Sequence, residues 1–205
     1  MIQVLCVELS GANEDIFRRF YQQASPERRA RADRFRRRED ALRCVAAEAL
    51  LRYALGADCR MEPGPSGKPF LPDRPEIHFN LSHSGNWAVI AWGASEVGVD
   101  VESSHGRTNI TGVAQRFFTL EEQAYIFQDD QMQHQRFLEV WTSKESYVKY
   151  LGTGIQMDLR SFSVLSLEGG LFLHRKTLPD GSLLCLCTAE DTCQIDFIDV
   201  HSLIP

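Results

Sequence analysis

Val97-Gly-Val-Asp-Val-Glu102 is the stretch around which the rest of the sequence is organised. Its alternation of apolar and acidic residues is typical of a β-strand, in which successive side chains point to opposite faces. Asp100 and Glu102 therefore share one face, while Val99 and Val101 share the other and can be buried. Two neighbouring carboxylates repel each other, which indicates a shared proton or a hard cation such as Mg²⁺ between them. On this hexapeptide alone, the simpler interpretation is a strand end that reaches water.

The composition is that of an ordinary globular protein. The 205 residues are 43% hydrophobic and 24% charged, which suffices for a sizeable core in one large domain or two small ones. Residues 1–7 alternate like a strand and lack the basic start, the long apolar stretch and the cleavage site of a signal peptide. No apolar run approaches the length of a membrane span. We therefore predict a cytoplasmic protein without a membrane partner.

The cysteines indicate neither a disulfide framework nor a metal site. They are scattered, mostly in apolar contexts, and in a cytoplasmic protein such residues are expected to be free thiols. The six are Cys6, Cys44, Cys59, Cys185, Cys187 and Cys193. Cys185 and Cys187 are separated by a single residue, which is not the spacing of a zinc site.

Positive charge is concentrated in one segment. The net charge of −6 argues against a protein built wholly to coat nucleic acid, yet eight arginines fall between Arg28 and Arg43. They can form a solvated helix face, since acidic residues lie among them, or an anion site in which Arg38 and Arg43 meet a phosphate. A nucleic-acid-binding module is a weaker alternative, because no series of base-stacking aromatic residues is interleaved with the arginines.

The first half of the chain is predicted to begin with a strand and two helical segments. The strand spans residues 2–9, and a short helix spans residues 13–23. Ser25, followed by proline, provides an N-cap for a longer helical pattern that breaks near Phe35 and ends at Gly56. Apolar residues recur every three or four positions in this pattern, which indicates one core-facing side.

A loop and two strands connect these helices to the central strand. The loop, residues 63–69, is rich in proline and glycine and holds its one lysine in a tight turn, either exposed or directed at a ligand. Strands are predicted at residues 77–82 and 87–92, with a polar turn between them. With the central strand they would form an antiparallel meander. We expect this meander to place Ser82 and His83 in the same sheet as the two carboxylates.

The second half is predicted to centre on a helix over residues 133–150. This helix carries Glu145 and Lys149 on one side, where they can form a simple ion pair worth a few tenths of a kcal/mol. Thr119 and Glu122 have the spacing of a capping box, which gives Glu122 a structural role. Further strands are predicted at residues 161–167, 171–175, 183–188 and 194–200.

Taken together, these stretches resemble the paired signature of 4'-phosphopantetheinyl transferases of the surfactin-synthetase-activating (Sfp) type. About forty residues after the central strand, the chain satisfies that family's pattern Trp-x-x-Lys-Glu-x-x-x-Lys with Trp141, Lys144, Glu145 and Lys149. Three further stretches agree with the family in order and spacing, namely residues 38–43, 67–69 and 79–84. Each motif is short, but five motifs in the order and spacing of the family rarely arise by chance.

The resemblance implies an α+β fold of two similar halves, residues 1–103 and 104–205, packed as a pseudo-dimer with coenzyme A in the cleft between them. The implied reaction moves the phosphopantetheine arm of coenzyme A to a serine hydroxyl of an apo acyl or peptidyl carrier protein and releases adenosine 3',5'-bisphosphate. The protein would be a monomer with no nucleic-acid partner. A Mg²⁺-dependent pyrophosphate hydrolase, which would pass the arm to water, is the enzymatic alternative.

The resemblance also implies roles for individual residues. Asp100, Glu102 and Glu145 would hold Mg²⁺, with Mn²⁺ as an alternative, because three hard oxygen ligands suit such an ion. The catalytic set would be Asp100, Glu145 and Lys149, with Glu145 as the candidate base for the serine hydroxyl. Coenzyme A would be bound by Arg38, Arg43, Lys68, Pro69, Ser82, His83, Lys144 and Lys149. The resemblance leaves open which of Arg36, Arg37 and Arg38 contacts the 3'-phosphate.

Overall fold

The computed structural model of the chain describes residues 1–105, 108–154, 157–167 and 169–204. Within these ranges the strands are β1 (Ile2–Glu8), β2 (Glu62–Pro63), β3 (Pro69–Phe70), β4 (His78–Ser84), β5 (Trp87–Gly93), β6 (Val97–Glu102), β7 (Phe172–Thr177), β8 (Leu183–Thr188) and β9 (Cys193–Ile198). The α-helices are α1 (Glu14–Gln23), α2 (Pro26–Ala32), α3 (Arg38–Leu55), α4 (Ile110–Phe117), α5 (Leu120–Phe127) and α6 (Gln133–Leu151). The predicted α+β class is confirmed.

Two sheets form the centre of the fold. One has the strand order β4-β5-β1-β9, in which β9 is parallel to β1 and the other pairs are antiparallel. The other has the order β6-β8-β7 and is antiparallel throughout. The central strand therefore pairs with β8, with Asp100 opposite Cys185, and does not join β4 and β5 in a meander. The predicted meander is wrong because the chain crosses to the second sheet between β5 and β6.

Side chains of β4, instead of its backbone, connect the two sheets. Alternate residues of a strand share one face, and one face of β4 carries Asn80, Ser82 and Ser84. Three oxygens accept hydrogen bonds from backbone N–H groups at and just beyond β6: Asn80 Oδ1 from Val99 (3.0 Å), Ser82 Oγ from Val101 (3.2 Å) and Ser84 Oγ from Ser103 (3.2 Å). We call this contact the β4–β6 seam. It brings Ser82 directly beside the carboxylates.

Helix α6 packs unusually close to β6 because residue 98 is glycine. A Cβ atom at Gly98 would clash with the backbone carbonyl oxygen of Ser146 and the backbone nitrogen of Tyr150. The helix ends at Gly152, whose φ of 66° lies in the left-handed region that glycine adopts without strain. This close approach brings one side of α6 to the acidic face of the central strand.

The apolar core is divided into three clusters around these sheets. One lies between helices α1 to α3 and the four-stranded sheet and includes Phe20 and Leu50. A second lies between the two sheets and includes Val99 and Leu186. The third surrounds α4 to α6 and includes Phe118. The central strand thus has buried valines on one face, as predicted, and its charges on the other.

Several element boundaries agree with the sequence and one predicted strand is wrong. The helical segment breaks between Ala32 and Arg38, around Phe35, as expected. Residues 161–167 do not form the predicted strand, because the Val164 N–H donates to the Glu122 carboxylate (2.9 Å) instead of to a neighbouring strand. The predicted connector 103–109 includes residues 106–107, which lie outside the described residues. No helix in the described part of the chain is both long and apolar enough to cross a membrane.

Candidate active site

An ion pair between α6 and β6 forms the centre of the site. Lys149 Nζ lies 2.6 Å from Asp100 Oδ1 and 3.0 Å from Ser82 Oγ. The Ser82 hydroxyl in turn donates to the same Asp100 oxygen (2.9 Å). In the structure, Lys149 pairs with this carboxylate of the neighbouring strand and not with Glu145 of its own helix. The two ends of the predicted signature therefore meet in space.

The second oxygen of Asp100 has no hydrogen-bond partner among the residues that the structure describes. Asp100 is 4% exposed, and its Oδ2 atom is buried without a hydrogen bond from any described residue. A buried carboxylate oxygen left unpaired is costly, and most such atoms in folded proteins have a partner. The site is therefore incomplete in the protein alone and is suited to a further positively charged or hydrogen-donating group.

Glu102 is held from two directions. Its Oε2 atom accepts a hydrogen bond from the Ser84 hydroxyl (2.9 Å), and its Oε1 atom accepts one from the indole N–H of Trp141 (3.1 Å). Burial raises the pKa of Glu102, and the nearby Asp100 charge adds to that rise, while the two hydrogen bonds and Lys149 oppose it. The neighbouring donors thus orient this carboxylate, while the loss of surrounding water destabilises its charged form.

Glu145 lies on the same side of α6 as Lys149, one turn earlier. The side chain is partly buried, and no described residue forms a hydrogen bond or an ion pair with its carboxylate. Burial raises its pKa, the charges of Asp100 and Glu102 raise it further, and Lys149 lowers it. A carboxylate with a raised pKa and no partner can accept a proton or attract a cation.

The three predicted metal ligands share one electrostatic environment but do not form a finished metal site. Within the described ranges, no three His, Cys, Asp or Glu side chains are grouped closely enough to hold an ion. The ammonium of Lys149 lies against Asp100 instead. The structure therefore brings together Asp100, Glu102, Glu145 and Lys149, with a positive charge already at the most buried carboxylate.

A large cavity opens on the face of β4 opposite to the β4–β6 seam. Its volume is about 1080 Å³, and its wall includes Arg28, Arg31, Pro69 and His83. Ligand cavities typically measure about 300–1,000 Å³, so this one can admit a nucleotide-sized molecule. The buried Glu48 fixes part of the wall, because its carboxylate lies 3.6 Å from Arg28 Nε and 3.0 Å from Arg52, which also lines the cavity.

His83 gives the cavity wall a group that is neutral at pH 7. Its ring keeps an exposed surface, but crowding by the wall removes much of the surrounding water and lowers its pKa from 6.5 to about 4. The positive charges of Arg43, Lys149 and Arg31 act in the same direction, while a backbone hydrogen bond acts in the opposite one. A neutral imidazole among arginines is a hydrogen-bonding group that a bound anion would help to protonate.

The two predicted arginines are placed differently. Arg43 pairs with Asp40 and donates to the Gly85 carbonyl oxygen (2.6 Å), close to His83. Arg38 pairs with Glu14, stacks 3.2 Å from the ring centre of Phe17 and lines a separate groove. In this structure Arg38 thus lies away from the cavity that contains His83, and its contact with coenzyme A stays a prediction.

Sequence reasoning missed Arg28 and Arg31, which the cavity wall does include. The available signal was their spacing. Residues three apart on a helix share a side, so α2 directs both toward the same place, whereas consecutive arginines diverge. In a dense run of arginines this spacing is hard to recognise, because side chains point in nearly every direction around the helix axis.

Lys68 connects three parts of the chain instead of facing the cavity. Its ammonium pairs with Glu96 and donates to the carbonyl oxygens of Val97 (2.9 Å) and Tyr150 (3.1 Å). All three ammonium protons are thus used internally. In this structure Lys68 therefore has a structural role, and its neighbour Pro69 lines the cavity; binding of coenzyme A by either residue stays a prediction.

Lys144 is also structural. Its side chain is fully buried, 2.9 Å from Glu122 Oε2, and it donates to the carbonyl oxygens of Leu159 (2.6 Å) and Phe162 (2.8 Å). Glu122 forms the predicted capping box with Thr119. Because Lys144 has no exposed surface and all three of its ammonium protons have partners, this structure gives it a structural role, and its contact with coenzyme A stays a prediction.

Comparisons with known proteins agree with this geometry. A family model described as the 4'-phosphopantetheinyl transferase superfamily matches residues 96–195, which include both β6 and α6. The chain is 34% identical over 176 residues to 4'-phosphopantetheinyl transferase Sfp of Bacillus subtilis (strain 168), covering 82% of this chain and 76% of that protein. It is 34% identical over 197 residues to 4'-phosphopantetheinyl transferase psf-1 of Bacillus pumilus, covering 90% and 83%. It is 36% identical over 138 residues to 4'-phosphopantetheinyl transferase HetI of Nostoc sp., covering 62% and 58%.

Proposed function

Since the chain belongs to the 4'-phosphopantetheinyl transferase superfamily, in its Sfp-type branch, we propose that it transfers the arm of coenzyme A to a serine hydroxyl of an apo acyl or peptidyl carrier protein. The chain is an enzyme, and the transferred group is 4'-phosphopantetheine. The proposal concerns the donor, the acceptor, a requirement for Mg²⁺ and the release of adenosine 3',5'-bisphosphate.

The observation that carries the proposal is the meeting of Asp100, Glu145 and Lys149. One lysine and two carboxylates from distant segments converge on one face of β4, and a cavity lined by arginines opens on its other face, where the charge of Lys149 still acts on His83. Transfer of a pyrophosphate-linked group needs both kinds of charge, because phosphate oxygens must be held and a hydroxyl must lose its proton. A site with only one of these features would not suit the reaction as well.

The residues present fit a divalent cation. Asp100 Oδ2 is a buried oxygen to which no residue in the described ranges donates, and the pKa values of Glu102 and Glu145 are raised by burial and by nearby negative charge. A hard cation prefers such carboxylate oxygens and would relieve their repulsion. Asp100, Glu102 and Glu145 would hold it. When bound, Mg²⁺ would neutralise the charge that accumulates on the pyrophosphate oxygens.

The cavity supports binding of the nucleotide end of coenzyme A. Arg28 and Arg31 line it, His83 adds a neutral donor or acceptor, and Arg43 adds a positive charge nearby. Guanidinium groups suit phosphate oxygens because their N–H groups match phosphate geometry. Pro69 offers an apolar surface suited to the adenine ring. The phosphates would then extend along the seam toward Lys149.

The proposed chemical step uses the groups at the opposite end of the cleft. The serine Oγ forms a bond to the phosphorus next to pantetheine, and the bond from that phosphorus to the bridging oxygen breaks. The bridging oxygen leaves with adenosine 3',5'-bisphosphate, and the Oγ proton passes to the Glu145 carboxylate. Lys149 holds the negative charge of the phosphate oxygens, and Ser82 keeps the lysine and Asp100 in register.

The division into two similar halves is part of the proposal. We place the boundary near residue 103 and the cleft between the halves, as the order of helices and strands along the chain supports. The sheets do not follow the boundary strictly, because β6 pairs with β8 and β9 pairs with β1. A monomeric, cytoplasmic enzyme with no nucleic-acid partner stays a prediction from the sequence.

Intact-mass spectrometry tests the proposal. The protein is incubated with coenzyme A, Mg²⁺ and a panel of purified apo carrier proteins of fatty-acid, polyketide and peptide-synthetase origin. We expect one carrier class to gain the mass of a single phosphopantetheine on its serine, and a carrier with serine replaced by alanine to gain none. Release of the arm as free phosphopantetheine, with no carrier modified, would identify a hydrolase and overturn the proposal.

A further inference from the structure

Two serines of the β4–β6 seam have the same double contact with β6. The Ser82 hydroxyl accepts from the Val101 N–H and donates to Asp100 (2.9 Å), while the Ser84 hydroxyl accepts from the Ser103 N–H and donates to Glu102 (2.9 Å). In each case the acceptor carboxylate belongs to the residue just before the N–H donor. A hydroxyl has only one proton, so an accepted N–H leaves that proton free for the carboxylate.

The third seam residue lacks the second contact. Asn80 Oδ1 accepts from the Val99 N–H (3.0 Å), but the preceding residue is Gly98 and has no side chain to orient. Asn80 therefore represents the part of the seam that only joins the sheets. All three residues therefore join the sheets by accepting a backbone N–H. Of the three, the two serines also donate to a carboxylate and can orient it.

Trp141 approaches Glu102 from the opposite side. Its indole N–H donates to Oε1, while Ser84 donates to Oε2. The indole cannot rotate freely, because it packs against the rings of Phe117 and Phe137, with ring centres 6.1 and 6.3 Å away. The two oxygens of Glu102 are thus fixed by donors that are themselves held in place, one on β4 and one on α6.

We propose that Ser84 and Trp141 are positioning residues for Glu102, which hold its carboxylate in the orientation needed to receive the cation. The proposal rests on the proposed function. Glutamate has three rotatable side-chain bonds and lies beside the like charge of Asp100, so without these donors its carboxylate would have several orientations. Groups that orient metal ligands in this way typically account for about 10–100-fold in metal affinity.

Direct measurement of Mn²⁺ binding tests the proposal apart from turnover. Mn²⁺ is titrated into the protein in the presence of coenzyme A and without a carrier, and free Mn²⁺ is read by electron paramagnetic resonance. We expect Ser84→Ala and Trp141→Phe each to weaken Mn²⁺ binding about tenfold or more. Trp141→Phe keeps the aromatic packing, and Ser84→Thr, which keeps the hydroxyl, should restore wild-type binding.

Asn80→Ala is the matched control. Like Ser84→Ala, it removes one seam acceptor and leaves one backbone N–H, at Val99 instead of Ser103, without its seam partner. It should therefore lower the melting temperature by a similar amount. Unlike Ser84→Ala, it should leave Mn²⁺ binding unchanged. In turnover assays, Ser84→Ala should raise the Mg²⁺ concentration for half-maximal rate and leave the KM for coenzyme A unchanged.

The possible results separate the two proposals. Wild-type protein that transfers the arm and binds Mn²⁺, together with a Ser84→Ala variant that binds Mn²⁺ equally well, would overturn the positioning proposal alone. Equal weakening by Asn80→Ala and Ser84→Ala would also overturn it, since the effect would then belong to the seam as a whole. Wild-type protein that neither binds Mn²⁺ nor modifies a carrier would overturn the proposed function.

Discussion

Two lysine–carboxylate pairs on different sides of helix α6 have opposite characters. Lys144 and Glu122 form a closed pair: both side chains are 0% exposed, and carbonyl oxygens at Leu159 and Phe162 take the remaining lysine protons. Lys149 and Asp100 form an open pair, in which the lysine side chain is 28% exposed and one aspartate oxygen has no described partner. The same chemical groups thus occur in a completed and an incomplete arrangement.

The difference shows how to separate a structural ion pair from a functional one. A buried pair is tolerated when neighbouring groups satisfy every donor and acceptor, and such a pair has no capacity left for a ligand. An incomplete pair has unsatisfied atoms, which are available to a water molecule, an ion or a ligand. By this criterion we propose that Lys149 and Asp100 belong to the active site, while Lys144 and Glu122 hold α5, α6 and residues 159–164 together.

The largest expected effect comes from removing the charge of the open pair at Asp100→Asn. The buried oxygen can then no longer attract a cation, and Lys149 loses its partner. We expect the single-turnover rate of arm transfer to fall by about 1,000-fold or more, in line with the loss of a central electrostatic group. Rapid-quench measurement with saturating coenzyme A gives this rate.

Asp129→Asn provides the control for that change, because Asp129 is exposed in the turn before α6. It should leave the rate unchanged. Circular dichroism should show both variants folded. If an Asp100→Asn variant keeps more than a tenth of the wild-type rate, Asp100 does not take part in the reaction. The proposed functional difference between the open and the closed pair would then be contradicted.

Lys149→Met should have the next largest effect, a loss of about 100-fold in rate at pH 7. The variant removes the charge that holds phosphate oxygens, and it also removes the charge that lowers the pKa of Glu145. The pKa of Glu145 therefore rises, and the base is ionised only at higher pH. We expect the acid limb of the pH–rate profile to move to higher pH, as measured by single turnovers between pH 5 and 9.

Lys176→Met is the matched control, since Lys176 is exposed on β7. It should change neither the rate nor the acid limb. If Lys149→Met lowers the rate equally at every pH, then Glu145 is not the group that titrates, and the assignment of the base must change even though Lys149 keeps its role.

Arg31→Gln should have a smaller effect that is confined to binding. Arg31 lines the cavity and is exposed within it, so its loss should weaken the nucleotide end of coenzyme A without disturbing the fold. We expect the KM for coenzyme A to rise about tenfold with kcat unchanged, because the contact is the same before and during reaction. Calorimetric binding of adenosine 3',5'-bisphosphate should weaken by the same factor.

Arg34→Gln serves as the comparison, because Arg34 is exposed in the turn after α2. It should leave the KM unchanged. An equal rise in KM for both variants would indicate a diffuse charge effect. It would contradict a specific anion site in the cavity wall.

The sequence predicts the central elements of the site because their signals are local. Alternation of period two defines β6 and its acidic face, and spacings of three and four define α6 and its cap at Gly152. The meeting of Asp100 with Lys149 is not local. It was expected only through the family resemblance, and the clash that a side chain at Gly98 would cause explains how the two elements approach.

Where the structure differs from the sequence-based expectations, the difference concerns which element pairs with a strand or in which direction a side chain points. Alternation predicts which face of β6 is buried but not which strand pairs with its edge, so β8 could not be identified as the neighbour. The five-residue spacing places Lys144 and Lys149 about 140° apart around the helix, but it does not show which of the two faces the central strand. A dense run of arginines, finally, does not reveal that Arg38 stacks on Phe17.

Lys144→Met should have the smallest effect on transfer and the largest on stability. Glu122 would keep its N–H partners from Thr119 and Val164 but would lose its cation in a fully buried position. Removing one partner of a buried ion pair costs about 3–5 kcal/mol. We expect the free energy of unfolding, measured in urea, to fall by about that amount, while the KM for coenzyme A and the rate at 20 °C change less than about threefold.

The double variant Lys144→Met and Glu122→Gln sharpens this test. With the buried charge also removed, part of the lost stability should return, because no charge is then left unpaired, although the single amide oxygen can accept only one of the Thr119 and Val164 hydrogen bonds. Recovery would show that the cost lay in an unpaired charge. A tenfold rise in the KM for coenzyme A in the Lys144→Met single variant, at full occupancy of the folded state, would instead mean that Lys144 reaches the ligand, and the closed pair would have to open during the reaction.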